Sequence, residues 1–334
     1  MNKSNSRKHH ILYHMDSDGH AAGAVVYKYL LDGGAKDEDI LWHPINYGMP
    51  IPSEIDRKKD MVYMVDFSLQ PLDAMVEFAL SLGDNLTWID HHQTSVDMED
   101  QSPVLKDVAG VRRVDWSGVL ISGCELVWQY FMGSGGAPRL GEQLSDKSEV
   151  LRLVGDYDTW RWSDYGEKRQ EEVQSFQYFL GSFSSDPGTE GGREWWLRAL
   201  DACGETVVSW CKGGRVLREY QQKQWHGVMK SKGFEADFQG LRAVMMNQTA
   251  SSQMFDGFFD PEKHDVMVAF QLVKGKYLTV SMYTTKTDEF HLGKLAKKLG
   301  EAGDMPSGGG HAGAAGFQCS WDYFSGLFDV KEDE

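Results

Sequence analysis

The feature that most restricts the fold is a rhythm in roughly the first ninety residues, where short apolar runs alternate with helical stretches. "HHILYHM" from His9, "ILWHPINY" from Ile40, "MVYMVDFS" from Met61 and "LTWIDHH" from Leu86 read as strands. "AAGAVVYKYLLDG" from Ala21 and "LDAMVEFALSLG" from Leu72 read as helices, each closed by Gly. Strand and helix in this order mark a parallel α/β sheet, and such sheets bind ligands beyond the carboxyl ends of their strands.

Past Trp116 the pattern changes. "GCELVWQYFM", "KSEVLRLVGDYDTW" and "EEVQSFQYFLGSF" are helical, and an amphipathic, charged helical region follows from about Arg193 to Lys232. A second β-rich segment starts with "LRAVMMNQ" and continues through "DVMVAFQL" and "YLTVSMYTT" to the helix "LGKLAKKLG" and the glycine-rich "SGGGHAGAAGFQ". The expected architecture is therefore α/β: an N-terminal parallel-sheet domain over 1–170, a helical connector over 171–235 and a smaller C-terminal α/β domain over 236–334.

Composition narrows the function classes. Hydrophobic residues at 41% and charged residues at 25% are ordinary for a soluble protein. No apolar run is long enough for a membrane helix, and the N-terminus shows no export signal. The four cysteines are scattered without a CxxC pair, which argues against a zinc ribbon or disulfide scaffold and for the cytoplasm. A net charge of −16 counsels against a broad duplex-DNA surface, which needs many Lys and Arg. It still permits a nucleic-acid substrate, because carboxylates recruit phosphates through divalent cations.

The chemistry-bearing residues fall at element ends. "HMDSDGH" places His14, Asp16, Asp18 and His20 at alternate positions, which share one face if the segment is extended. Asp66 follows the third strand, Asp90, His91 and His92 end the fourth, and Asp156 and Asp158 sit at a helix C-terminus. One such Asp is usually a cap or turn residue. Four clusters in register are hard to explain separately. Carboxylates crowded at one sheet edge repel unless cations cancel the charge, and a carboxylate–imidazole mixture suits Mn2+ ahead of Mg2+, Co2+ or Fe2+. The donors suffice for two ions, with Asp66 as the candidate bridge.

These segments, "HMDSDG", "VDFS", "IDHH" and "GDYDTW", resemble the ordered motifs of the DHH phosphoesterase superfamily, and "GGGHAGAAGF" resembles the signature of its associated C-terminal domain. The resemblance implies metal binding by His14, Asp16, Asp18, Asp66, His91 and Asp158, with His20 and Asp156 as the alternatives to Asp16 and Asp158. It places His92 at the phosphate and gives Asp90 the task of orienting the histidines. The spacing His-x-Asp-x-Asp-Gly-His departs from the pattern of many members, in which three residues separate the His from Asp-x-Asp. Gly308, Gly309, Gly310 and His311 would grip the 3′ side of the substrate. Tyr283, where relatives often have Arg, would stack on a base or serve as an ordinary strand residue. The eleven tryptophans read mainly as core, with Trp160 the exception because it follows the fourth motif.

The implied activity is two-metal water activation on phosphodiesters, without a protein nucleophile. With no further nucleic-acid-binding domain visible, short single-stranded RNA or linear dinucleotides held between the two domains are the expected substrates, and mononucleotides the products. A cyclic dinucleotide, 3′-phosphoadenosine-5′-phosphate, pyrophosphate or polyphosphate would suit the same metal site, and a nucleotide sensor without turnover is a separate class. The sequence allows a homodimer and leaves oligomeric state open.

Overall fold

The computed structural model describes residues 7–116, 118–133, 148–248, 251–255, 257–305, 308–310 and 312–331. The chain divides into two compact units, 1–218 and 219–334, and the division falls inside one long helix. Residues 171–218, expected to belong to a connector, cluster with the first unit.

In the first unit, strands β1 (His9–His14), β2 (Ile40–Ile45), β3 (Met61–Val65) and β4 (Leu86–Ile89) form a sheet in the order β2-β1-β3-β4. All three pairings are parallel. Strand residues alternate between two cores, as the two-residue side-chain period requires. Ile11, Tyr13, Tyr63, Val65 and Ile89 face one core, while Leu12, Val62, Met64, Leu86 and Trp88 face the other. Helices α1 (Ser17–Asp32) and α2 (Leu72–Leu82) cover opposite faces of the sheet. The order explains why "ILWHPINY" ends without a chemical group. It forms the edge strand β2, where Pro44 is tolerated, whereas β1, β3 and β4 lie side by side and bring their carboxyl ends together.

Next come the short helices α3 (Gln93–Gln101) and α4 (Pro103–Lys106), then the hairpin β5 (Asp115–Trp116) and β6 (Val119–Leu120). Helices α5 (Gly123–Met132), α6 (Glu149–Asp158), α7 (Glu167–Leu180), α8 (Glu190–Leu200) and α9 (Gly204–Lys232) follow. Val127, Val154, Phe176 and Trp196 from four of these helices join the same core as α1.

The second unit holds a seven-stranded sheet built from β7 (Gly233–Phe238), β8 (Leu241–Asn247), β9 (Val266–Val273), β10 (Tyr277–Tyr283), β11 (Gly309–Gly310), β12 (Ala314–Cys319) and β13 (Phe328–Val330). Its order is β11-β12-β10-β9-β8-β7-β13, and of its pairings only β8–β9 is parallel. Helices α10 (Leu292–Ala302) and α11 (Trp321–Ser325) contribute Leu292, Leu299 and Phe324 to the core on one face. A smaller methionine-rich cluster with Phe255 lies on the other. No described helix is long and apolar enough to cross a membrane.

Two consequences are measurable. A Cβ on Gly214 of α9 would lie 1.8 Å from the Ser175 carbonyl oxygen of α7, so Gly214→Ala must drive the helices apart. It is expected to cost about 1–3 kcal/mol in urea unfolding, the range for overpacking. His43 is buried, its Nε2 2.9 Å from His10 Nδ1. Burial pushes its pKa down to about 4, reinforced by the neighbouring His10. The unfolded chain, with an ordinary His value near 6.5, then binds the proton more readily than the fold does. Stability from this group is complete above about pH 6.5 and is lost as pH falls towards 4. His43→Gln should flatten part of that fall in the urea midpoint between pH 7.5 and 4.5; an unchanged slope would exclude His43 as its source.

Candidate metal centre

The structure corrects one local expectation. "HMDSDGH" is not extended, because α1 begins at Ser17 with Asp16 as its N-cap, the carboxylate accepting a hydrogen bond from Gly19 N at 2.8 Å. An Asp ahead of a helical run is a capping signal, and capping here outweighs continuation of the strand. Asp16 and Asp18 therefore sit at the cap and in the first turn. His20, two residues further on, turns away as the helix advances about 100° per residue. Its ring packs edge-on against Tyr13, with Nδ1 3.4 Å from Ser185 Oγ.

Asp18 is almost wholly buried, and both its oxygens are held by the start of α5. Gly123 N donates to Oδ2 at 2.6 Å and Cys124 N to Oδ1 at 3.0 Å. The N-terminal amides of a helix are well suited to stabilise such a charge. Gly123 also faces the next ligand candidate, since a Cβ there would lie 2.6 Å from Asp66 Oδ1.

Asp66 stands at the centre. Its backbone is left-handed (φ 55°), its amide donates to the Ile89 carbonyl of the neighbouring strand, and its side chain is buried. Oδ2 lies 3.8 Å from His14 Nδ1, while Oδ1 lies 3.3 Å from His91 Nε2. Neither carboxylate oxygen has a hydrogen-bond partner. Three donor groups each have atoms within 4.8 Å of one another: Asp66 belongs to two, with His14 and Asp16 and with His91 and His92, and His91 links these to the third, Asp18, His91 and Asp158. His91 Nε2 is 3.4 Å from Asp158 Oδ2 and 3.7 Å from Asp18 Oδ2, and the ring's other nitrogen side bonds to the Ile121 backbone. All six residues proposed as ligands from sequence thus converge, and His92 joins them.

The electrostatics are those of carboxylates and imidazoles buried close together. Burial, then Asp18, Asp16 and Asp158, push the Asp66 carboxyl well above the usual range. Burial and the same neighbouring carboxylates Asp18 and Asp16 push Asp158 upward too. Desolvation drives His91 down. At His92 burial also acts downward, but its hydrogen bond to Asp90 prevails and lifts it to about 9. A buried carboxylate with both oxygens orphaned is costly unless paired or bound to metal. The donor set fits a divalent cation on that ground.

Asp90 is completely buried and organises the triplet: its Oδ1 accepts from His91 N at 2.8 Å and His92 N at 3.2 Å, and contacts His92 Nδ1 at 2.7 Å. Asp156 serves elsewhere. Two residues apart on α6, it and Asp158 point to different faces. Asp156 pairs with Arg161 at 3.0 Å and Arg169 at 2.8 Å and accepts from Tyr165 at 2.9 Å. Arg161 also makes a two-pronged pair with buried Glu125, at 2.9 and 3.0 Å. Glu125 closes a capping box with Ser122 at the N-terminus of α5. Sequence reasoning missed this network; the "S-x-x-E" box at 122–125 is its one local signal.

The glycine segment lies in the second unit. Gly309 and Gly310 form β11 against β12. Gly308 (φ 144°) and Gly310 (φ 134°) occupy conformations side chains rarely adopt, and a Cβ on Gly308 would lie 2.4 Å from the Ala296 carbonyl oxygen. Gly308 is therefore required by its approach to α10, and Gly310 by its approach to Ala314 and Ala315 of β12. His311 falls outside the described residues. Tyr283 packs its ring against the methionine-rich cluster.

No family model matches the chain. Oligoribonuclease NrnB of Bacillus subtilis (strain 168) is 23% identical over 181 residues, which span 52% of this chain and 42% of that relative's length. Among solved structures, the DHH domain of a member of the s1p family of ribosomal proteins matches with TM-score 0.56 and 16% identity, covering 93% of this chain and 82% of that one. RecJ from Thermus thermophilus, crystallised in complex with Mn2+, matches with TM-score 0.50 and 14% identity, covering 96% and 51%. The fold and donor set define an α/β protein with a carboxylate–histidine centre at the carboxyl edge of a parallel sheet. These likenesses show that the chain shares the fold of the DHH domain and of RecJ, and its ordered motifs resemble those of the DHH phosphoesterase superfamily.

Asp66→Asn should abolish tight Mn2+ binding in isothermal titration calorimetry. In EDTA-treated protein the same change should raise the melting temperature above wild type, since it removes a buried carboxylate that lacks a partner. Wild-type Mn2+ affinity in this variant would strike Asp66 from the ligand set. Arg161→Met, which takes the arginine from buried Glu125 and leaves Asp156 to Arg169 and Tyr165, is expected to destabilise by about 3–5 kcal/mol.

Proposed function

We propose that this protein is a divalent-cation-dependent phosphodiesterase that hydrolyses short single-stranded oligoribonucleotides or linear dinucleotides to mononucleotides. The observation that carries the reading is Asp66, whose two buried oxygens accept no hydrogen bond and which belongs to two of three linked donor groups. His14, Asp16, Asp18, Asp66, His91 and Asp158 would hold two cations, with Mn2+ favoured for a mixed carboxylate–imidazole set. Cations bound there would activate water and neutralise charge on the phosphate.

The remaining roles belong to the chain's own groups. Asp90 fixes the His92 ring through Nδ1, which leaves Nε2 to exchange a proton with a phosphate oxygen or the leaving group. Gly308, Gly309, Gly310 and His311, together with Tyr283 of the second unit's sheet, are the candidate nucleotide contacts outside the metal centre, the glycines through their backbone amides. The name of the matched relative, an oligoribonuclease, supports the substrate class. All four cysteines are free, which suits a reducing cytoplasm.

The test is a chromatographic panel with Mn2+: linear dinucleotides, short RNA and DNA, cyclic dinucleotides, 3′-phosphoadenosine-5′-phosphate and pyrophosphate. Linear dinucleotides and short RNA are expected to turn over fastest. EDTA should abolish the activity and added Mn2+ restore it, and His91→Ala should be folded but nearly inactive. Full activity without metal, or rapid pyrophosphate cleavage beside inert RNA, would overturn the proposal.

A further inference from the structure

Trp160 is an exposed aromatic two residues beyond Asp158 of the carboxylate–histidine cluster, and it takes no part in the donor set. Sixty per cent of the residue is exposed, although Trp is among the costliest side chains to leave in water. Its backbone is left-handed (φ 60°), a conformation that a bulky residue keeps only when its surroundings impose it. Those surroundings are specific. Trp160 N donates to the Tyr157 carbonyl at 3.2 Å, and the Trp160 carbonyl accepts from Ser163 N at 3.0 Å and Ser163 Oγ at 2.9 Å. The residues on either side are pinned as well: Thr159 Oγ1 bonds to the Gly155 carbonyl at 2.7 Å, and Arg161 is locked to Glu125 and Asp156. Behind the ring, Trp162 stacks on Trp160 at a centroid distance of 5.9 Å and an interplanar angle of 27°, and itself packs on the N-terminal core.

We propose that Trp160, backed by Trp162, is a platform on which a nucleobase of the substrate stacks while the attached phosphate lies at the metal centre. Chain geometry supplies the reach. Trp160 is two residues beyond Asp158, so their Cα atoms lie within about 7.6 Å of each other. The hairpin beside it also exposes Val119 and Leu120, and the Leu120 carbonyl accepts from Arg161. Charge also favours stacking as the grip. A chain with a net charge of −16 offers an anionic ligand little long-range attraction, whereas a flat π-face binds any base. The inference rests on the phosphodiesterase reading and adds the residue that holds the organic part of the substrate.

Wild type, Trp160→Ala and Trp160→Phe are compared, with Mn2+, on a diadenylate and on an abasic dinucleotide of the same backbone. Trp160→Ala should raise KM for diadenylate roughly tenfold or more, the size of one base–aromatic stack. Turnover of the abasic substrate should stay within about twofold of wild type, and Trp160→Phe should retain most of the diadenylate affinity. Equal effects on both substrates, or none on either, would overturn the platform. Should wild type cleave neither substrate, the phosphodiesterase reading fails by itself. The platform is then decided by tryptophan fluorescence during titration with AMP: quenching in wild type that is lost in Trp160→Ala supports it, and quenching that persists, or is missing in wild type, refutes it. A change of oligomeric state in Trp160→Ala by sedimentation would assign the ring to a contact between copies and likewise overturn the proposal.

Discussion

Mutual repulsion among carboxylates at one sheet edge is the constraint on which the first unit depends. Asp16, Asp18, Asp66, Asp90 and Asp158 are brought towards one place by β1, β3, β4 and α6, and the protein compensates each differently. Asp18 receives two helix amides, Asp90 two backbone amides and an imidazole, and Asp16 a histidine and an amide. Asp66 accepts no hydrogen bond at its carboxylate and has only imidazole rings nearby, His91 at 3.3 Å and His14 at 3.8 Å. The uncompensated charge is concentrated at the residue where the donor groups meet. That is how a fold can keep its framework intact while reserving one position for a cation.

Behind the cluster lies a second layer of charge that is fully paired. Glu125, Asp156, Arg161 and Arg169 neutralise one another in partly buried surroundings, and Glu125 also caps α5. Pairs of this kind add little net stability once desolvation is counted, but they fix geometry. Here they hold the end of α6, which carries Asp158, to the start of α5, which holds Asp18. The inner layer gathers the candidate metal donors and the outer layer keeps them in place.

Much of this is legible in the sequence, because parallel strands announce themselves by rhythm and their carboxyl ends share one edge. His14, Asp66 and the Asp90–His92 triplet can be placed from that rule alone. Asp158 cannot be separated from Asp156 by motif spacing; helical geometry and the arginines at 161 and 169 distinguish them. The helix start at Ser17 is hidden because Asp16 can end a strand or cap a helix, and only the tertiary setting decides. The left-handed backbones of Asp66 and Trp160 leave no mark in composition or period, since Trp rarely adopts that conformation and Asp, which tolerates it better, is equally common in caps and ordinary turns. Gly308 and Gly310 are visible as unusual, but the Ala296 carbonyl that makes one of them indispensable lies in another element.

The two amides that α5 gives to Asp18 have a thermodynamic corollary. Any ligand that draws on the Asp18 carboxylate alters how strongly that carboxylate holds the helix, and any strain on the helix alters the carboxylate. By linkage the two free energies are shared equally in both directions. Helix docking and occupancy of the cluster are thus coupled quantities, and the packing of Val127 in the core becomes part of the affinity of a site it never touches.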